Sequence, residues 1–73
     1  MSDQQLQHLV RMINQISATN LHHGDEATAA EVVAGHMRKF WARSMKQMIV
    51  EYADTDGTEL LPVSRQAVER LKK

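Results

Sequence analysis

Histidine is the residue type that could give this sequence a metal site with nitrogen ligands, and it occurs four times. Zinc sites need ligands at defined spacings, such as two histidines at i and i+4 on one helix face. No two histidines here are four residues apart, and two of them are adjacent in a predicted loop, where neighbouring side chains usually point apart. We therefore predict no metal site on the histidines, which are His8, His22, His23 and His36.

Serine hydroxyls are the candidate nucleophiles, because the sequence has no cysteine. None lies in a Gly-x-Ser-x-Gly turn, and none belongs to a recognisable triad order. The three glycines are too far apart to form a loop that cradles a phosphate. We therefore predict no catalytic residue and no bound cofactor. The serines are Ser2, Ser17, Ser44 and Ser64.

The composition describes a short chain without net charge, with 73 residues, nine basic side chains and nine acidic ones. A chain of this length offers few walls for a catalytic cleft, so we expect a protein that is not an enzyme. Zero net charge gives no overall attraction to nucleic acid or to an anionic membrane. The absence of cysteine fits a reducing compartment. There is no basic signal-peptide start and no apolar run of about 20 residues, so a cytoplasmic protein is expected.

Apolar residues recur at helical spacing and predict four helices and no strand. The first helix begins behind Ser2 or Asp3 and ends near Asn20. The second begins near residue 26, with Asp25 or Thr28 as its cap. The apolar stripe of the first helix is Leu6, Leu9, Val10, Ile13 and Ile16, and that of the second is Ala29, Ala30, Val33, Met37, Phe40 and Trp41.

A later apolar stripe is rotated about the helix axis by roughly 80–90° from that of the second helix. Two stripes out of phase predict a break near Ala42–Ser44, although one continuous helix wrapped by a partner is the alternative. The third helix then runs from Arg43 to Ala53, and a fourth begins at Pro62 after a turn at residues 54–58. The prediction is a single all-α domain over residues 1–73, a small bundle of about four short helices. The later stripe is Met45, Met48, Ile49 and Tyr52.

The segment around the predicted break combines basic and aromatic side chains. Residues 38–46 contain four bases and no acid, whereas residues 51–59 contain four acids and no base. Because Trp and Arg dominate interface hot spots, this segment is a candidate docking surface for an acidic protein or for phosphates, and the alternative is a solvated basic face beside a core aromatic pair. The periodicity places Phe40 in the core and leaves Trp41 open between core and interface. The candidate partner-binding residues are His36, Arg38, Lys39, Phe40, Trp41, Arg43 and Met45.

Four internal methionines supply flexible apolar side chains, which suit either an irregular core or an adaptable binding surface. Met12 lies off the stripe of the first helix, and Met45 and Met48 belong to the stripe that diverges from that of the second. The sequence therefore predicts more apolar surface than one core can bury, which favours a partner.

The most distinctive segments read HLVRMINQI at residues 8–16 and GHMRKFW at residues 35–41, with Met45 and a helix ending near Tyr52 after the second. Together they resemble the delta subunit of bacterial NAD-dependent, molybdenum-containing formate dehydrogenase over nearly the whole chain. Family members usually follow the Trp with an acidic residue, Pro, Arg and Met. In this sequence Ala42, Arg43 and Ser44 stand between Trp41 and Met45, so no proline enforces the break. Leu61 also precedes Pro62 where the family tends to have Asp.

The resemblance implies a small, non-catalytic accessory subunit of a cytoplasmic complex. In that family, larger subunits carry the molybdenum cofactor, the iron–sulfur clusters, the flavin and the NAD site. The implied role is to assemble or stabilise the complex, including insertion of the molybdenum cofactor into the large subunit, which would be the partner.

Two alternatives remain open from the residues alone. A small helical nucleic-acid-binding regulator would use the second and third helices as a helix-turn-helix, although Glu51, Asp54 and Asp56 would repel phosphates. A bundle that associates weakly with itself would form a homodimer.

Overall fold

Four α-helices account for most of the chain that the computed structural model describes, which is residues 3–21 and 24–72. They are α1 (Asp3–Asn20), α2 (Glu26–Phe40), α3 (Arg43–Thr55) and α4 (Pro62–Leu71). No strand occurs in those described ranges. The predicted all-α bundle of four helices is confirmed, and α3 continues two residues beyond the predicted end.

Helix α2 begins behind Asp25, whose backbone is extended with φ −80° and ψ 175°. Its side-chain oxygen accepts a hydrogen bond from the backbone N–H of Thr28 at 2.9 Å. This bond, together with one from the Thr28 side chain, holds the pKa of Asp25 below its ordinary value, because both favour the ionised carboxylate. Of the two predicted cap residues, Asp25 is therefore the one that caps α2.

The chain changes direction at Trp41 and Ala42, which both have extended backbones. The Trp41 amide closes the last turn of α2 with a 3.0 Å bond to the Met37 carbonyl. No proline lies at this corner, so packing produces the break. On one continuous helix, the apolar stripes of α2 and α3 would face different directions. Because the chain turns between the two helices, both stripes pack against the same core. The alternative of one continuous helix is wrong.

The turn between α3 and α4 depends on Gly57, which has a φ of +69°. A Cβ there would lie 3.2 Å from the Ala53 carbonyl oxygen and 3.2 Å from Nη1 of Arg65. The Arg65 guanidinium donates to the Gly57 carbonyl, and the Tyr52 hydroxyl accepts from the Glu59 amide at 3.1 Å. The predicted turn is confirmed. Glycine suits position 57 both because of the positive φ and because a side chain there would crowd Ala53 and Arg65.

A chain of side-chain hydrogen bonds fastens α1 to the start of α4, and we call it the Asn14 clamp. The Asn14 Oδ1 accepts from the Leu61 amide at 3.0 Å and from the Ser64 hydroxyl at 2.8 Å. Its Nδ2 donates to the Glu59 carbonyl at 2.8 Å. The single Ser64 proton points to Asn14, so the Ser17 hydroxyl, 2.7 Å away, is the donor to Ser64. Leu61 gives α4 no side-chain cap, so the clamp is what ties the start of α4 to the bundle.

The core lies where α2 packs against α4, with α1 and α3 covering its remaining sides. Met37 is fully buried, and Met12, Met45 and Met48 are partly buried against the same core. Of the two interpretations of the methionines, the core one holds fully for Met37 and in part for the other three, because four helices surround the core and accept stripes of different phase. The large buried apolar residues are Leu9, Val10, Ile13, Val33, Met37, Trp41, Ile49, Leu60, Val63 and Val68.

Candidate partner-docking surface

The residues predicted to bind a partner fall around the corner where α2 ends and α3 begins, but they differ in exposure. Trp41 is only 5% exposed and belongs to the core, and its indole N–H finds no hydrogen-bond partner among the described residues. Met45 is partly buried against the same core. The exposed members are His36, Arg38, Lys39, Phe40 and Arg43.

Phe40 is 70% exposed, so the expectation that it lies in the core is wrong. Helical phase places a side chain in the core only where another element covers that side of the helix. Phe40 is the last residue of α2, and its ring is left uncovered there. Its aromatic neighbour is His36, whose ring centroid lies 4.8 Å away with the planes tilted by 42°. The two rings form an exposed aromatic pair one helical turn apart.

The exposed pair continues along α2 into a larger surface, which we call the α2 outer face: Val32, Gly35, His36, Lys39 and Phe40. Val32 is 49% exposed and lies four residues before His36. Gly35 lies in the helix interior, on the side opposite the buried residues Val33 and Met37. A Cβ at Gly35 would meet nothing within 4 Å. Nothing within the described chain therefore requires a glycine at this position.

Sequence reasoning missed Val32 and the special position of Gly35. The available signal was an isolated glycine inside a strong helical pattern, since glycine there costs about 1 kcal/mol relative to alanine. In the structure, the Gly35 position has free space where a side chain would be.

The basic side chains of residues 38–46 have no carboxylate partner within the described residues. The ion pairs among the described residues lie outside this segment. Arg70 pairs with Glu31 at 2.9 Å, and Lys72 pairs with Asp54 and with Glu69. Hydrogen bonds to those two acids raise the pKa of Lys72. Arg38 instead donates to the Arg70 carbonyl at 2.9 Å, at the end of α4. The predicted concentration of positive charge thus stays available at this corner.

The other candidate chemistry of the sequence has structural explanations or lies elsewhere. His8 and His36 are exposed, and no three His, Asp or Glu residues of the described chain could together hold a metal ion. His22, His23 and Ser2 lie outside the described residues. Ser17 and Ser64 are fully buried in the Asn14 clamp, and Ser44 is exposed in the first turn of α3. Among the described residues, no helix is long and apolar enough to cross a membrane.

One protein-family model matches most of the chain, including the corner between α2 and α3. The family model of the NADH-dependent formate dehydrogenase delta subunit, FdsD, matches residues 8–68. The chain belongs to the FdsD family. No curated protein and no solved structure matches the chain significantly. The suspected delta-subunit identity is confirmed.

The two segments that resemble the FdsD family have different places in the structure. Residues 8–16 lie within α1, where Ile13 is buried in the core and Asn14 forms the clamp to α4. Residues 35–41 combine core residues, Met37 and Trp41, with four exposed side chains between and around them. Both segments of this FdsD chain therefore combine core residues with exposed ones, and the exposed residues of the second include the aromatic ring of Phe40.

Proposed function

We propose that this FdsD chain is a non-catalytic accessory subunit that docks on the large, molybdenum-containing subunit of a cytoplasmic formate dehydrogenase. Docking uses the α2 outer face, with Phe40 as its anchor and the neighbouring cations Arg38 and Arg43 beside it. The observation that carries the proposal is the 70% exposure of Phe40 in a chain whose other aromatic side chains pack on its own core.

Among the described residues, α2 carries the two most exposed large apolar side chains. Val32 and Phe40 are its exposed large apolar residues, and Gly35 lies between them with open space where a side chain would be. A glycine on an outward helix face lets a partner backbone approach closely. An aromatic anchor beside such a notch, with arginines near it, has the composition of an interface hot spot.

The proposed mechanism uses binding energy and involves no chemistry within this chain. If the chain binds the cofactor-loaded large subunit more tightly than the empty one, the loaded state gains that difference in binding free energy. A difference of about 5.5 kcal/mol moves an equilibrium from 1:99 to 99:1. A buried aromatic anchor contributes about 2 kcal/mol or more to binding, and only the part of it that is gained in the loaded state and not in the empty one shifts the equilibrium.

Trp41 acts in this proposal from the core and does not touch the partner. Truncating a buried tryptophan to alanine typically costs about 3–5 kcal/mol, which is comparable with the whole stability of a small domain. Loss of the complex in Trp41→Ala would therefore follow from loss of the fold. Because Phe40 is exposed, its truncation should weaken docking without unfolding the chain.

The test replaces Phe40 by alanine and uses Leu21→Ala, an apolar residue of 40% exposure outside α2, as the matched control. Tagged chains are expressed in the native host, and the co-purified large subunit and its molybdenum content are measured. We expect both to fall in Phe40→Ala and to remain unchanged in Leu21→Ala. Both isolated variants should unfold within about 0.5 kcal/mol of the wild type, since they are surface substitutions. Unchanged recovery and molybdenum content in Phe40→Ala would refute the docking role.

A further inference from the structure

A second surface, which we call the basic groove, lies beside the α2 outer face between the end of α2, α3 and α4. It has a volume of about 430 Å³. Its charged side chains come from two helices, Arg38 from α2 and Arg43 and Lys46 from α3. The lining residues are Arg38, Arg43, Lys46, Gln47, Val50 and Leu71.

The charge of the basic groove is not compensated within the described residues. None of its three cations forms an ion pair there. The Arg38 guanidinium is held in place by its bond to the Arg70 carbonyl. The acid that contacts the lining is Glu51, which accepts a 3.5 Å bond from Gln47. The first turn of α3 contains no acidic residue, so the charge is not neutralised from the helix end either.

The floor of the basic groove is apolar. Val50 and Leu71 are both half-buried and pack against the core from the groove side. A free phosphate ion would use the cations but gain nothing from this floor. A peptide segment would use both, because it can place an apolar side chain on the floor and carboxylates beside the cations.

We propose that the basic groove binds an acidic segment of the partner protein, with an apolar side chain seated on Val50 and Leu71 and flanking Asp or Glu carboxylates paired with Arg43 and Lys46. This inference rests on the proposed docking function and adds the chemistry of the partner. The α2 outer face supplies the apolar anchor, and the groove fixes the orientation by charge. Arg38, which is already bonded to α4, forms the rigid wall between the two surfaces.

The test reverses one charge in the groove with Lys46→Glu and reverses an exposed charge on α1 with Arg11→Glu as the control. Both variants change the net charge equally. The probe is the formate dehydrogenase complex purified from a host strain that lacks this chain, and the dissociation constant is measured by biolayer interferometry at low and high salt. We expect Lys46→Glu to weaken binding by about tenfold at low salt and by less at high salt, where charges are screened. Arg11→Glu should stay within about twofold of the wild type, and Lys46→Arg should retain the affinity.

The possible results separate failure of the groove from failure of the docking function. If the wild-type chain does not bind the complex, the proposed function fails and the inference falls with it. If the wild type binds and Lys46→Glu binds equally well, or Arg11→Glu is weakened equally, only the groove assignment is overturned. Thermal unfolding of each variant, followed by circular dichroism, confirms that a weakened variant is folded.

Two further measurements exclude other occupants of the basic groove. Calorimetric titration of the isolated chain with inorganic phosphate should give no saturable binding, and binding that depends on Lys46 would replace the acidic segment by a phosphate ligand. Sedimentation of the isolated chain at low salt should show a monomer. A homodimer that Lys46→Glu dissociates would make a second copy the occupant, and would overturn the proposal.

Discussion

Replacing Gly35 by alanine should affect the isolated chain and the complex in opposite directions. Gly35 lies in the interior of α2, and the positive φ values among the described residues belong to Gly24 and Gly57. A Cβ at Gly35 meets nothing within 4 Å, so the methyl group introduces neither strain nor a clash within the chain. Alanine also restricts the unfolded chain, which glycine leaves more flexible.

The expected stabilisation of the isolated Gly35→Ala chain is about 0.5–1 kcal/mol, the difference between glycine and alanine inside a helix. In a domain of this size, 1 kcal/mol corresponds to a rise in Tm of roughly 4–8 °C, so the expected rise is about 2–8 °C. Thermal unfolding followed by circular dichroism measures it directly. A lower Tm would show that the position is not open, and would refute the physical reasoning.

The same substitution should weaken binding to the formate dehydrogenase complex. If a partner backbone packs against Gly35, an added methyl group overfills the contact, which typically costs about 1–3 kcal/mol, or roughly 5- to 150-fold in affinity. Gly35→Leu should weaken binding further. Ala27→Leu, at an exposed position in the first turn of α2, adds bulk away from this face and should leave the affinity unchanged. A higher Tm with unchanged affinity would support the stabilisation of the helix by alanine and would show that no partner packs against Gly35.

The remaining predictions concern the fold that presents these surfaces. Asn14→Ala leaves the Leu61 amide and the Ser64 hydroxyl without their acceptor, so urea unfolding should show a loss of about 1–3 kcal/mol, and an unchanged free energy would contradict the clamp. Asp25→Asn should lower the Tm near neutral pH. The pKa of Asp25 is lower in the folded chain, so its stabilisation is present above the ordinary carboxyl pKa and disappears as the pH falls through the folded pKa. The Tm difference between wild type and Asp25→Asn should therefore vanish in strong acid, and a constant difference would exclude the charged cap.

The positions of the helices could be predicted because their causes are local. Asp25 supplies a cap oxygen, Pro62 suits a first helical position, and Gly57 supplies a positive φ, each through its own backbone or its near neighbours. The phase shift between the stripes of α2 and α3 predicted the break at the corner without a proline. These features depend on residues within one or two helical turns, so the order of residues alone contains them.

The candidate surface was predicted only in part, because exposure depends on which element covers a side chain. Phe40 and Trp41 are adjacent and both apolar, yet the first is 70% exposed and the second 5%. Sequence periodicity predicted that Phe40 lies in the core and did not decide between core and interface for Trp41. The difference arises at the end of α2, where the backbone leaves the helix and carries Trp41 into the core.

The sequence by itself determined the helices, the turn at Gly57, the concentration of charge and the resemblance to the FdsD family. Only the tertiary structure decided that Asn14 fastens α1 to the start of α4, through residues 47 and 50 positions away, and that Gly35 faces open space. It also decided that Arg38, Arg43 and Lys46 share one groove with Val50 and Leu71. The physical reason is that helix formation follows from local backbone preferences and periodicity, whereas burial, clamps and grooves require contacts between distant segments.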